Sequence, residues 1–200
     1  MPLAVLDIKL AFSIVAFIVG VVAFIPYIKD TLAGRTKPHA YTWLIWSITV
    51  AVAAAGVWYG SGGYTAVNLA IMAALTGGVF FLSLAYGTRN VTRSDAVLLA
   101  LVLAAIIPWL IFKDPTFSVL MVTAIDMAGY FPSMRKSYAE PWSESLSSWA
   151  LFTVTGLFLL LALNTYNIIT MIYIFMSIIM NVILIGICLT RRRSIPKPLD

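Results

Sequence analysis

Seven apolar stretches divide this chain, near residues 9–29, 40–59, 64–87, 95–112, 115–135, 145–163 and 166–190. Each has about the twenty residues that a helix needs to cross a bilayer. No other feature limits the fold so tightly. In hydrocarbon each backbone N–H and C=O must find its partner inside the protein, and a helix satisfies them within one segment. The expectation is an all-α polytopic membrane protein with seven transmembrane helices. Composition agrees, since 62% of the 200 residues are hydrophobic and only 10% are charged, against roughly a quarter in soluble domains. Gly60-Ser61-Gly62-Gly63 separates the second and third stretches, and Gly87-Thr88-Arg89-Asn90 with Arg93 the third and fourth. Lys113-Asp114-Pro115 forms a tight turn before the fifth, because proline suits a helix start. Asn164-Thr165 is the least marked break. The first stretch runs into Pro26-Tyr27-Ile28-Lys29 without a small-residue cleavage site, so it is expected to stay as a span. A lone cysteine, Cys188, excludes an internal disulfide.

The basic residues orient the chain. Of its thirteen Lys and Arg, only Lys9 and Lys113 fall at the N-terminus or in the loops after spans two, four and six. The other eleven, from Lys29 and Arg35 to Arg191-Arg192-Arg193 and Lys197, fall on the opposite side. By the positive-inside rule the N-terminus faces out and the C-terminus in. The net charge of +5 therefore reports orientation in a lipid bilayer, and no nucleic-acid partner is expected.

The two longest inward loops resemble each other. P-Y-I-K-D-T-L-A-G-R-T-K-P-H-A-Y-T-W-L-I-W runs from Pro26 to Trp46, and P-S-M-R-K-S-Y-A-E-P-W-S-E-S-L-S-S-W from Pro132 to Trp149. In each, a basic residue (Lys29, Arg135) stands three after the first proline, and a second proline (Pro38, Pro141) stands eight before the tryptophan. The offsets are 106 for the first prolines, 103 for the second pair and 102 between Thr88-Arg89 and Thr190-Arg191. Landmarks in the same order at nearly constant offset indicate an internal duplication. Residues 1–90 form one three-helix repeat, 91–114 a linker helix (span four), and 115–200 the second repeat with its basic tail. An odd-numbered repeat joined by one inverting helix gives two parallel copies, a 3+1+3 arrangement.

On these residues the chain resembles the SWEET family of parallel-repeat transporters and the wider PQ-loop family. The likeness covers most of the chain, although the loop dipeptides are Pro26-Tyr27 and Pro132-Ser133 rather than Pro-Gln. It is also similar to bacterial membrane proteins with a K-P-H-x-x-x-W-L-I-W string, here Lys37 to Trp46. The resemblance implies alternating access, with Pro26 and Pro132 as hinges. It also implies a solute site between an asparagine in span three and one in span seven. Asn68 matches the first. Its repeat partner at offset 102 is Thr170, whereas Asn181 lies nearly three turns deeper. Asn181 then reads as a polar tie between helices, and the asparagine pair of sugar carriers is not reproduced.

Other residues speak without the resemblance. A proline inside a helix removes a hydrogen bond and bends it, so Pro26 and Pro132 either hinge their spans or end them. Asp126 is twelfth of twenty residues between Pro115 and Met134, near mid-membrane, where a carboxylate costs roughly 2.5–3.5 kcal/mol. Too short to snorkel, it must face a wet cavity, take hydrogen bonds from neighbours such as Thr123, or hold a proton. It is the candidate proton-coupling or cation site; the alternative is a structural tie. Trp46 and Trp149, equivalent in spans two and six, are candidate aromatic plates for a solute or else interfacial anchors. Trp43, Trp58, Trp109 and Trp142 read as anchors. His39 stands alone and forms no metal site. Glu140 and Glu144, paired with Arg135 or Lys136, read as a solvated loop or a gate. Small residues at Ala51–Gly56 and Gly77-Gly78 let helices approach.

No paired carboxylates, Cys/His constellation or phosphate-binding glycine loop points to an enzyme or a cofactor. A retinal receptor would need a lysine in the last helix, and none lies between Lys136 and Lys197. Two readings remain: a carrier of a small polar solute, sugar-like or another metabolite, and a non-transporting seven-helix sorting receptor or assembly factor. Cavity residues expected for the carrier are Asn68, Trp46, Trp149, Asp126 and Thr170. The compact loops suit a bacterial inner membrane, and a homo-oligomer is compatible with either reading.

Overall fold

A computed structural model describes the backbone of residues 3–87, 92–107, 111 and 115–197, and their side chains except at 3–7, 95 and 132. Thr88-Arg89, Trp109 and Lys113-Asp114 lie outside the described residues. The chain is helical, with α1 at Leu3–Leu32, α2 at Ala40–Tyr59, α3 at Tyr64–Tyr86, α4 at Arg93–Ala104, α5 at Pro115–Ala139, α6 at Leu146–Ala162 and α7 at Ile168–Ser194. A 3-10 turn at Pro141–Ser143 precedes α6. Among the described residues α1 (from Ile8), α2, α3, α5 and α7 are long and apolar enough to cross a membrane, and α6 is apolar but shorter. The protein is an integral membrane protein by this measure.

The packing order is the same in both halves. α3 packs against both α1 and α2, and α7 packs against both α5 and α6. The halves then join by α1 on α6 and α2 on α5. These contacts close six helices into a ring, α1-α3-α2-α5-α7-α6, with α4 outside it against α2 and α5. Both joints run antiparallel. Phe24 meets Phe152 (ring centroids 5.0 Å) while Phe12 meets Phe158 (6.2 Å). On the other joint Trp46 meets Tyr130, and Gly56 approaches Val119.

Helix ends follow local chemistry. α7 begins at a capping box, in which Asn167 Oδ1 accepts from the Thr170 N–H at 3.0 Å and Thr170 Oγ1 accepts from the Asn167 N–H at 3.1 Å. This reciprocal pairing satisfies amides that the first turn leaves free, and it moves the expected break at Asn164-Thr165 to a start at Ile168. After α2, Gly63 takes φ +67°, and a Cβ there would sit 2.1 Å from Asn164 Nδ2. Only glycine serves at such a position. The loops after α2 and α6 are thereby clasped, with Asn167 Nδ2 donating to Gly60 O at 3.3 Å.

Both prolines lie within helices rather than at their ends. α1 continues past Pro26 to Leu32, and α5 runs through position 132 to Ala139. The reading of these prolines as span terminators is thus corrected.

Candidate functional site

A cavity of about 130 Å³ lies between the halves, lined from every ring helix. α5 brings Asp126 and Tyr130, α7 brings Tyr173, Ser177 and Asn181, and α2 brings Trp43 and Trp46. Asp126 is only 1% exposed yet borders this space. Its Oδ1 accepts from the hydroxyl of Thr49 on α2 and from that of Tyr173 on α7, the latter at 3.2 Å. The expected donor Thr123 does not serve. Its hydroxyl bonds back to Val119 O at 2.7 Å, the usual behaviour of threonine inside a helix. Both hydrogen bonds fall on Oδ1. One turn on, Tyr130 OH donates to Asn181 Oδ1 at 2.8 Å, which again joins α5 to α7.

Trp46 and Trp149 meet face to edge at the centre. The rings of Trp46 and Trp149 are 5.8 Å apart at 79°, and Tyr130 packs against both. Such edge-to-face contacts are favoured by the ring quadrupole. Trp43, expected as an interfacial anchor, is buried beside Trp46 at 5.4 Å and Tyr27 at 4.8 Å. Trp58, by contrast, is 69% exposed.

Trp43, Trp46 and Trp149 also border a second space of about 220 Å³, lined by His39, Arg135, Lys136, Glu140 and Glu144. The indoles therefore stand as a partition between the central cavity and a charged vestibule. Glu144 is not in a solvated loop as expected. It is 4% exposed, takes the Trp149 indole N–H at 3.0 Å and pairs with Lys136 at 2.6 Å. Arg192, at the end of α7, donates to Glu144 O at 2.8 Å and lies over the Trp142 ring at 4.5 Å. The basic turn of α7 thus braces this loop.

Two expected solute residues are elsewhere. Asn68 borders an outer groove with Ser13 and Tyr64, and its amide donates to Ser13 O at 3.2 Å and to Tyr64 O at 3.3 Å. It ties α3 to α1. Thr170 is fully buried in the cap of α7. Asn181, read from sequence as a tie, does join α7 to α5 through Tyr130, and it lines the cavity as well. The signal for it was its spacing of eight residues from Tyr173, about two turns along one helix face. Among the described residues no group of three or more His, Cys, Asp or Glu is placed to hold a metal ion.

No family model, no curated protein and no solved structure matches the chain.

Proposed function

We propose that this chain is a carrier of a small solute that works by alternating access, in seven spans arranged as two parallel three-helix repeats around one linking helix. The observation that carries the reading is Asp126, a lone carboxylate bordering a cavity between two helix triples that pack in the same order. A cavity at a repeat interface near mid-membrane is where such carriers hold their solute. Trp46 and Trp149, at matching positions in the repeats, meet across it, so rocking one triple against the other would part them. Pro132 follows Tyr130 of this aromatic layer by two residues and Pro26 follows Phe24 by two, and the two prolines serve as the hinges. Asp126 takes up a proton or a cationic group in the cycle. The distribution of Lys and Arg supports an outward N-terminus and puts the charged vestibule on the cytoplasmic side. The resemblance to bacterial proteins with the Lys37-to-Trp46 string supports an inner-membrane setting.

Proteoliposomes with an internal pH dye test this with a panel of candidate solutes. The expected result is solute-dependent acidification that disappears in Asp126→Asn. Labelled uptake that is unchanged in the variant would reduce Asp126 to a structural tie. Silence across the panel in folded protein would favour the receptor or assembly-factor reading.

A further inference from the structure

We infer that the solute is a small organic ammonium ion: a protonated amine with an apolar body no larger than a six-membered ring. The inference deepens the carrier reading and rests on it only for movement across the membrane.

Size comes first. A cavity near 130 Å³ falls in the class in which one of about 150 Å³ accommodates benzene. A hexose with its ring of hydroxyls exceeds this.

Donors and acceptors come second. The three indole N–H groups that line the cavity are spent on Tyr27 OH, Asp126 O and Glu144 Oε2. Thr76, Thr155 and Ser177 donate to carbonyls of their own helices at 2.6, 2.9 and 2.8 Å. The Tyr130 and Tyr173 hydroxyls donate to Asn181 and Asp126. Among the described lining residues, only the Asn181 amide keeps donors without a protein acceptor. Oδ2 of Asp126 and the lone pairs of the hydroxyls remain as acceptors. The walls accept but scarcely donate. A polyol or a carboxylate needs donors from its site and would leave its own oxygens unpaired, which is costly in a buried place. An ammonium only donates.

Charge comes third. Among the described residues Asp126 is the sole carboxylic acid on the cavity wall, and no Lys, Arg or His lines it. An ammonium beside Oδ2 makes a charge-assisted hydrogen bond and compensates a carboxylate that is otherwise expensive at this depth. The remaining wall is apolar and aromatic, with Phe24, Trp46, Trp149 and Phe152 against the body of the solute. Indole and phenyl rings also attract cations through their faces.

Three probes of one shape test the inference on the full-length protein in detergent by titration calorimetry: cyclohexylammonium, cyclohexanol and cyclohexanecarboxylate. Cyclohexylammonium should bind at least about tenfold more tightly than cyclohexanol, the gain of one charge-assisted bond, with the carboxylate weakest. Asp126→Asn should abolish that tenfold preference for the ammonium over the alcohol. Equal or tighter binding of the alcohol or the carboxylate to wild type, or no binding of the ammonium, overturns the inference. The wild-type comparison decides even if the variant does not fold. Cyclohexylammonium binding without flux into proteoliposomes sustains the inference and removes the carrier reading. Flux of another solute class without ammonium binding does the reverse.

Discussion

At the scale of the residue, Asp126 is held by donors from two other helices, Thr49 on α2 and Tyr173 on α7. Each bond joins elements far apart in sequence, so losing one loosens the ring as well as the carboxylate. Thr49→Val and Tyr173→Phe should each lower stability by about 1–2 kcal/mol, read by thermal unfolding in detergent. A loss well below that would mean that the carboxylate finds another donor. The Glu144–Lys136 pair makes a second case, because the Glu144 side chain is 2% exposed and Lys136 24%. Lys136→Ala should cost about 3 kcal/mol by stranding the buried carboxylate. Lys136→Met combined with Glu144→Gln should restore most of it, and a cycle of the two variants isolates the coupling. Asp126 was legible as an acid alone in an apolar run; Glu144 was not, because a loop position says nothing about burial.

At the scale of the element, close approach of helices depends on single glycines, and the sequence does not tell which. Gly56 and Gly78 both sit in small-residue stretches. A Cβ on Gly56 would lie 2.4 Å from Val119 Cγ2, across the joint of α2 with α5, whereas one on Gly78 meets nothing within 4 Å. Val119 is fully buried and β-branched, so it cannot swing aside. Gly56→Ala should therefore destabilise by about 1–3 kcal/mol, and Gly78→Ala should be neutral or stabilise by about 0.5 kcal/mol. Thermal unfolding of the two variants side by side checks the contrast; equal effects would show that the α2–α5 contact is loose. The same element scale settles the prolines: α1 and α5 run through positions 26 and 132, which keeps them available as bends.

At the scale of the whole molecule, six helices form the ring, and the loops after α2 and α6 are clasped at one end of it. Seven spans with the N-terminus outside would put that clasp outside and the vestibule inside. In a Cys188→Ser background, Tyr166→Cys should react with an impermeant maleimide added to intact cells. Arg35→Cys should react only after permeabilisation. Both parent side chains are exposed. The reverse pattern would invert the molecule and place the tryptophan partition on the outer side.

What could be read from the chain alone was whatever depends on running length and charge: the helical stretches and the acid set within one of them. These follow from the cost of exposing backbone and charge to lipid, which a linear pattern records directly. What only the packed structure decided was which way each helix turns. A helix that is apolar all round carries no polar face to orient it, so the pattern did not tell which way Asn68 and Asn181 face. Packing turned Asn68 toward α1 and brought Asn181 to the cavity. Trp43 and Glu144, read as an anchor and a surface charge, are buried by packing that the linear pattern does not record: Phe24 and Tyr27 of α1 lie against Trp43, and Lys136, Trp149 and Arg192 enclose Glu144.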